Sequence, residues 1–277
     1  MVMELFTTSL KALIETDADN KCRLVEALHL GWLMGEITRD ERAAHMNVTD
    51  PGRPARPELV PPLEVPRRKM TTPAGRAAMI HALAHIEFNA VNLALDAAYR
   101  FRDMPMDFYG DWLKVAAEEA LHFKLLRGHL RSMGYDYGDF PAHNGLWEMA
   151  MKTAHDPLVR MALVPRVLEA RGLDVTPGLI KRLRQAGDEK TAAVLEIILR
   201  DEIGHVAIGS HWFQYLCGQR GLDPEQTFHE LVNRYFSGQR CGPFDYEARQ
   251  QAGFSLVELK ALEQMGIAKT RGGNTTQ

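Results

Sequence analysis

Two stretches of this chain, far apart in sequence, carry the same order of carboxylates and imidazoles, and this doubling constrains the fold more than any other feature. Glu119-Ala120-Leu121-His122 and Glu202-Ile203-Gly204-His205 are each a Glu-x-x-His, and on a helix such side chains share one face at i and i+3. A lone motif of this kind carries little weight, because chance supplies about one at such a composition. Glu26-Ala27-Leu28-His29 is indeed a third copy. The surroundings of the other two set them apart: Glu87 precedes Glu119 by 32 residues, and Glu169 precedes Glu202 by 33. At a rise of ~1.5 Å per residue, that separation brings the midpoints of two long antiparallel helices to one level when a short loop joins them. No paired carboxylate helix accompanies Glu26 and His29, which read as a solvated pair.

The punctuation between these residues is helical. An apolar stripe at Leu24, Leu28 and Trp32 marks the second of two runs between Glu4 and Ile37, the pattern of a helical hairpin. Six of the fourteen prolines then fall between Asp50 and Pro66. Such a stretch can neither continue a helix nor donate to an inner strand, so it reads as an extended arm that wraps the bundle or joins the hairpin to it. Thr72-Pro73 opens a long helix running to about Arg102, and a second runs from about Asp107 to Met133 before Gly134. A crossover with a short helix over Leu146 to Ala154 follows. Asp156-Pro157 then starts a helix expected to end at Arg171-Gly172, a small separate helix spans Pro177 to Gln185, and Asp188 opens the last long one, ending near Gly218 and Gly221. Asp223-Pro224 and the capping box Ser255-Leu256-Val257-Glu258 open two more helices before a polar tail. No run alternates like a strand, and the expected class is all-α. The expected segments are a hairpin over residues 1–50, an arm over 51–71, a four-helix bundle over 72–221, and C-terminal helices with the tail over 222–277.

Two hairpins packed face to face would deliver Glu87, Glu119, His122, Glu169, Glu202 and His205 into an apolar interior, at a prohibitive cost unless cations neutralise them. The neighbours fit an inward face: Val115, Ala116, Phe123 and Leu126 around Glu119, and Ile198, Leu199, Val206 and Gly209 around Glu202. Carboxylates with two imidazoles suit iron or manganese better than copper or zinc. Pro165, inside a helix four residues before Glu169, would remove the hydrogen bond to the Met161 carbonyl and kink the backbone there. That kink would either shape access to the metals or be merely tolerated. Arg166 and Arg171 read as partners of buried carboxylates. His85, two positions from Glu87, points about 200° away around the axis, so it is not expected as a ligand, and neither are His81 and Tyr99. Trp32, Trp112 and Trp147 read as core.

The pattern Glu, Glu-x-x-His, Glu, Glu-x-x-His on four successive helices resembles the ferritin-like di-iron carboxylate superfamily, over roughly Thr72 to Gly218. More narrowly, AHIEFNAVNLALD, GDFPAHNGLWE, LVPRVLEARGLDVTPG and ILRDEIGHVAIG look like a bacterial ferritin-like family of unknown function. The resemblance implies a ferritin-like four-helix bundle around two iron ions, with Glu119 and Glu202 bridging, Glu87 and His122 completing one ion's ligands, and Glu169 and His205 the other's. It also implies that Glu118 and Asp201 accept hydrogen bonds from His205 and His122 respectively and hold each ring's tautomer. No catalytic residue beyond the metal site is expected.

The leading expectation is an oxidoreductase in which a di-iron site activates dioxygen to hydroxylate or oxidise a small organic substrate, with an electron donor as a further partner. A metal-handling or structural role without turnover is the alternative, as is manganese-catalase-like peroxide disproportionation. Rubrerythrin-type electron transfer is disfavoured because Cys22, Cys217 and Cys241 form no Cys-x-x-Cys, and a radical subunit of ribonucleotide reductase because Leu126 stands four after His122. A net charge of −3 argues mildly against an RNA substrate. The start MVMELFTTSLKALIETDADN lacks the apolar core of a signal peptide, and no apolar run is long enough to span a membrane. A cytoplasmic protein without a membrane partner is expected, and a homodimer is an admissible assembly.

Overall fold

The computed structural model describes residues 2–66, 71–236 and 242–271, with side chains as far as 264. Helices dominate. Among the described residues the named strands are a parallel pair of two residues each, β1 (Met3–Glu4) and β2 (Ile37–Thr38). The class is all-α, as the periodicity required. The chain divides into two compact units, Met1–Lys152 and Thr153–Gln277.

In the first unit α1 (Leu5–Leu13) and α2 (Ala18–Leu33) form the expected hairpin. The Glu4 and Asp17 carboxylates accept the first free backbone N–H groups of each helix, satisfying donors that a helix start otherwise leaves open. α3 (Pro73–Arg100) begins where Thr72-Pro73 predicted, with the Thr72 hydroxyl accepting from Gly75 N at 3.0 Å. α4 (Met106–Ser132) follows after a five-residue loop, short enough to make the two antiparallel neighbours. α1 packs on α3 and α2 on α4. Gly110 permits the second contact, since a Cβ there would come within 2.6 Å of the Trp32 indole.

The Pro-rich arm is extended and belongs to this unit. It pairs with the segment before α5 (Gly145–Lys152): Val60 N donates to Ala142 O at 2.8 Å, and Ala142 N to Glu58 O at 3.0 Å. Trp147 on α5 donates its indole N–H to Thr49 O at 2.8 Å. The arm thus wraps the unit, which the sequence left open. Residues 67–70 lie outside the described residues.

The second unit opens with one continuous helical run of three parts: α6 (Pro157–Leu163), a π-helical turn over Val164–Glu169, and α7 (Ala170–Gln185). The break expected at Gly172 does not occur, and Pro177 lies inside α7 rather than at the start of a separate helix. An interior proline costs ~3 kcal/mol, and the apolar face that α7 buries against α8 (Glu189–Arg220) outweighs it. The π turn has a direct cause. Pro165 has no N–H to give the Met161 carbonyl, so the hydrogen-bond ladder slips by one residue, and Ala170 N donates to Pro165 O instead.

α8 is capped by Asp188 and ends at Gly221 in the left-handed region, φ 63°. α9 (Pro224–Tyr235), α10 (Tyr246–Gln251) and α11 (Leu256–Arg271) complete the unit. The predicted capping box holds, with Glu258 N donating to Ser255 Oγ at 3.0 Å and Ser255 N to Glu258 Oε2 at 3.4 Å. α10, capped by Asp245, was not expected from the sequence. No helix among the described residues is long and apolar enough to cross a membrane. Cys22 and Cys217 are buried free thiols; Cys241 and the tail from residue 272 lie outside the described residues.

Candidate metal centre

Glu87 sits near the middle of α3, and Glu119 and His122 near the middle of α4. The hairpin brings these midpoints to one level: His122 Nδ1 is 3.2 Å from Glu119 Oε2 and 3.4 Å from Glu87 Oε2. All three are buried, Glu119 and His122 completely. Each offers a ligand atom, and these atoms lie within 4.8 Å of one another. Val115, Ala116, Phe123 and Leu126 are buried around them, as an inward face requires.

Two carboxylates in an apolar interior need a cation near them. Burial alone would depress the His122 imidazole, but its hydrogen bonds to the Glu119 and Glu87 carboxylates, with their charges, outweigh it and hold its pKa up at about 11. The carboxylates therefore draw positive charge to this point. Hard oxygen donors beside one imidazole are a donor set for a divalent transition ion, so the buried cluster fits a metal and could hold one.

In the second unit, α8 carries Glu202 and His205 on one face, with His205 Nδ1 3.7 Å from Glu202 Oε2. His205 is fully buried, and 12% of the Glu202 side chain is exposed. Ile198, Val206 and Gly209 are buried beside them and Leu199 half-buried. Glu169, half-buried, is the last residue of the π turn, so the slip at Pro165 sets its direction. Glu118 is 2.7 Å from Lys114, one turn earlier on α4, and Asp201 is 2.9 Å from Arg200.

The two histidines of α3 are engaged elsewhere. His85 Nδ1 meets the Tyr137 hydroxyl at 2.8 Å, and its Nε2 lies 3.1 Å from the His143 carbonyl and 2.9 Å from the Asn89 side-chain amide. His81 Nε2 accepts from Gly138 N at 2.9 Å. Burial pushes both imidazoles down to about 4, so they stay neutral and tie the segment after α4 to α3. Glu26 is exposed and pairs with Lys124 rather than with His29. Trp112 and Trp147 are core, while Trp32 is half-buried.

Arg166 is a partner of a buried carboxylate, as read from the sequence: its Nη2 meets both Glu258 oxygens, at 2.7 and 2.8 Å. Other buried charges had no sequence signal. Lys21 is fully buried on α2 and donates to Leu13 O at 2.8 Å and Asn92 Oδ1 at 2.6 Å. Arg249 on α10 is buried and pairs with Asp174 at 2.7 Å. Nothing in the residues around them distinguishes these two from surface cations.

Fold and site together define an all-helical protein with a buried carboxylate and imidazole cluster able to hold a metal. The chain belongs to the family described as "Protein of unknown function (DUF455)", which matches residues 14–260. It is similar to a protein of Haemophilus influenzae (strain Rd) named "Uncharacterized protein", with 47% identity over 265 residues and 90% of each chain covered. No solved structure matches it.

Proposed function

We propose that this is a ferritin-like protein in which Glu87, Glu119 and His122 from one unit and Glu169, Glu202 and His205 from the other hold two metal ions, iron in the leading reading, and that it is an oxidoreductase acting with dioxygen. The observation that carries the reading is the buried Glu87, Glu119 and His122 cluster on the α3–α4 hairpin. The repeat of the same order on the π turn and α8 supports a second, equivalent half. In this reading the four helices α3, α4, α6–α7 and α8 are the ferritin-like bundle.

A bound metal pair would supply the redox equivalents for dioxygen chemistry. The chain's own residues hold and orient. Glu119 and His122 in one unit and Glu202 and His205 in the other would hold the ions, and the buried Val115, Phe123 and Leu126 around the first pair and Val206 beside the second would keep water from them. Glu118 and Asp201 are proposed to accept from His205 and His122. The substrate is a small organic molecule, and an external donor supplies electrons.

The donor set also accepts manganese, which would turn the reading toward peroxide disproportionation. Iron handling without turnover would keep metal but show no substrate-dependent oxygen consumption. Metal content, followed by oxygen uptake with and without reductant, tests the proposal. Stoichiometric iron with reductant-dependent uptake is expected; iron-loaded protein that consumes no oxygen would overturn the oxidoreductase reading.

A further inference from the structure

We infer that the second unit carries a separate binding site for a small monocarboxylate with an apolar body. A cavity of about 390 Å³ opens among the π turn, α7, α9 and the residues flanking α10, within the ~300–1,000 Å³ typical of small-molecule sites. Val175, Phe228, Phe244 and Leu262 give it apolar walls, and Arg166 and Arg171 also line it. Glu169 does not line it, so the inference stands apart from the metal proposal.

Arg166 is the reason to expect an anion. It is buried, and Phe213, Phe228 and Phe254 stack around its guanidinium at 4.8, 4.1 and 4.5 Å. Nε donates to Ser210 Oγ at 3.1 Å and Nη2 to Glu258. Nη1 is buried with no hydrogen-bond partner among the described residues. A buried donor in that condition is costly, and an acceptor inside the cavity would satisfy it.

Charge counting selects the acceptor. Glu258 balances Arg166 and Asp174 balances Arg249. Arg171, exposed on α7 and lining the same cavity, has no ion pair among the described residues. One positive charge is left over, which one carboxylate neutralises. A phosphomonoester, carrying about −1.5 to −2, would leave negative charge beside Asp174 and Glu258.

Isothermal titration of the full chain with decanoate, decanol and decyl phosphate, each below its aggregation threshold, tests the inference. Decanoate should bind one per chain, with decanol and decyl phosphate weaker by about tenfold or more. Arg171→Glu, at an exposed position, should weaken decanoate by about tenfold without changing the circular dichroism. Val175→Trp, which fills the cavity from its mouth, should abolish binding. Arg166→Lys keeps the buried charge but removes Nη1, and should also weaken decanoate. Equal binding of decanol would reduce the cavity to an apolar void, and tighter decyl phosphate would replace carboxylate by phosphate. Failure of decanoate to bind, or indifference to Arg171→Glu, would equally overturn the inference.

Discussion

Pro165 on the π turn packs into a recess on α8 that exists because residue 209 is glycine: a Cβ on Gly209 would overlap the pyrrolidine ring. The proline that shifts the helical ladder and the glycine that accommodates it lie on different elements, and together they fix where Glu169 emerges.

Gly209→Ala should therefore destabilise the chain. Overpacking costs ~1–3 kcal/mol, against a gain of ~1 kcal/mol in helix propensity. A lower urea midpoint is the expected outcome, and metal bound through Glu169 should weaken with it. A raised midpoint would show that the recess yields freely.

Lys21 gives a pH signature. Burial pushes its ammonium from 10.5 down to about 7, against the opposing charges of Cys22 and Glu15. Between these values the unfolded chain holds a proton that the folded chain releases, so stability should rise with pH across that window. Unfolding free energies at several pH values for the wild type and Lys21→Met should show the slope flattened in the variant. Identical slopes would mean that Lys21 stays charged through its bonds to Leu13 and Asn92.

Glu258 and Ser255 form one capping box but should not cost the same to remove. Ser255→Ala loses a cap, about 0.5–2 kcal/mol. Glu258→Ala also strands the buried Arg166, a loss of ~3–5 kcal/mol. Chemical denaturation of the two variants distinguishes them, and equal costs would mean that Arg166 finds another partner.

The three Glu-x-x-His motifs should differ in metal binding. Glu119→Ala and His205→Ala are expected to abolish stoichiometric metal while the far-ultraviolet circular dichroism stays helical. Glu26→Ala, at an exposed residue paired with Lys124, should leave the metal content unchanged. Metal retained by Glu119→Ala would remove that residue from the ligand set.

The helix starts were legible because each rests on local chemistry: Thr72, Asp156, Asp188, Asp223 and Ser255 all cap the helices they announced. The level of Glu87 with Glu119 was legible because rise per residue and loop length fix it. Pro177 misled, because its local penalty is smaller than the packing of α7 on α8. Burial of Lys21 and Arg249 could not be read, since the partners Asn92 and Asp174 lie 71 and 75 residues away. The cavity beside Arg166 was hidden for the same reason, because its walls come from helices that sequence order does not join.

Elemental analysis of protein purified anaerobically and reconstituted with iron(II) tests the two-metal site most directly. Two metal ions per chain, reduced to a small fraction of that in Glu119→Ala and His205→Ala, is the result that a dinuclear site held by these residues predicts. One ion or none, or a wild-type content that survives both substitutions, would contradict it.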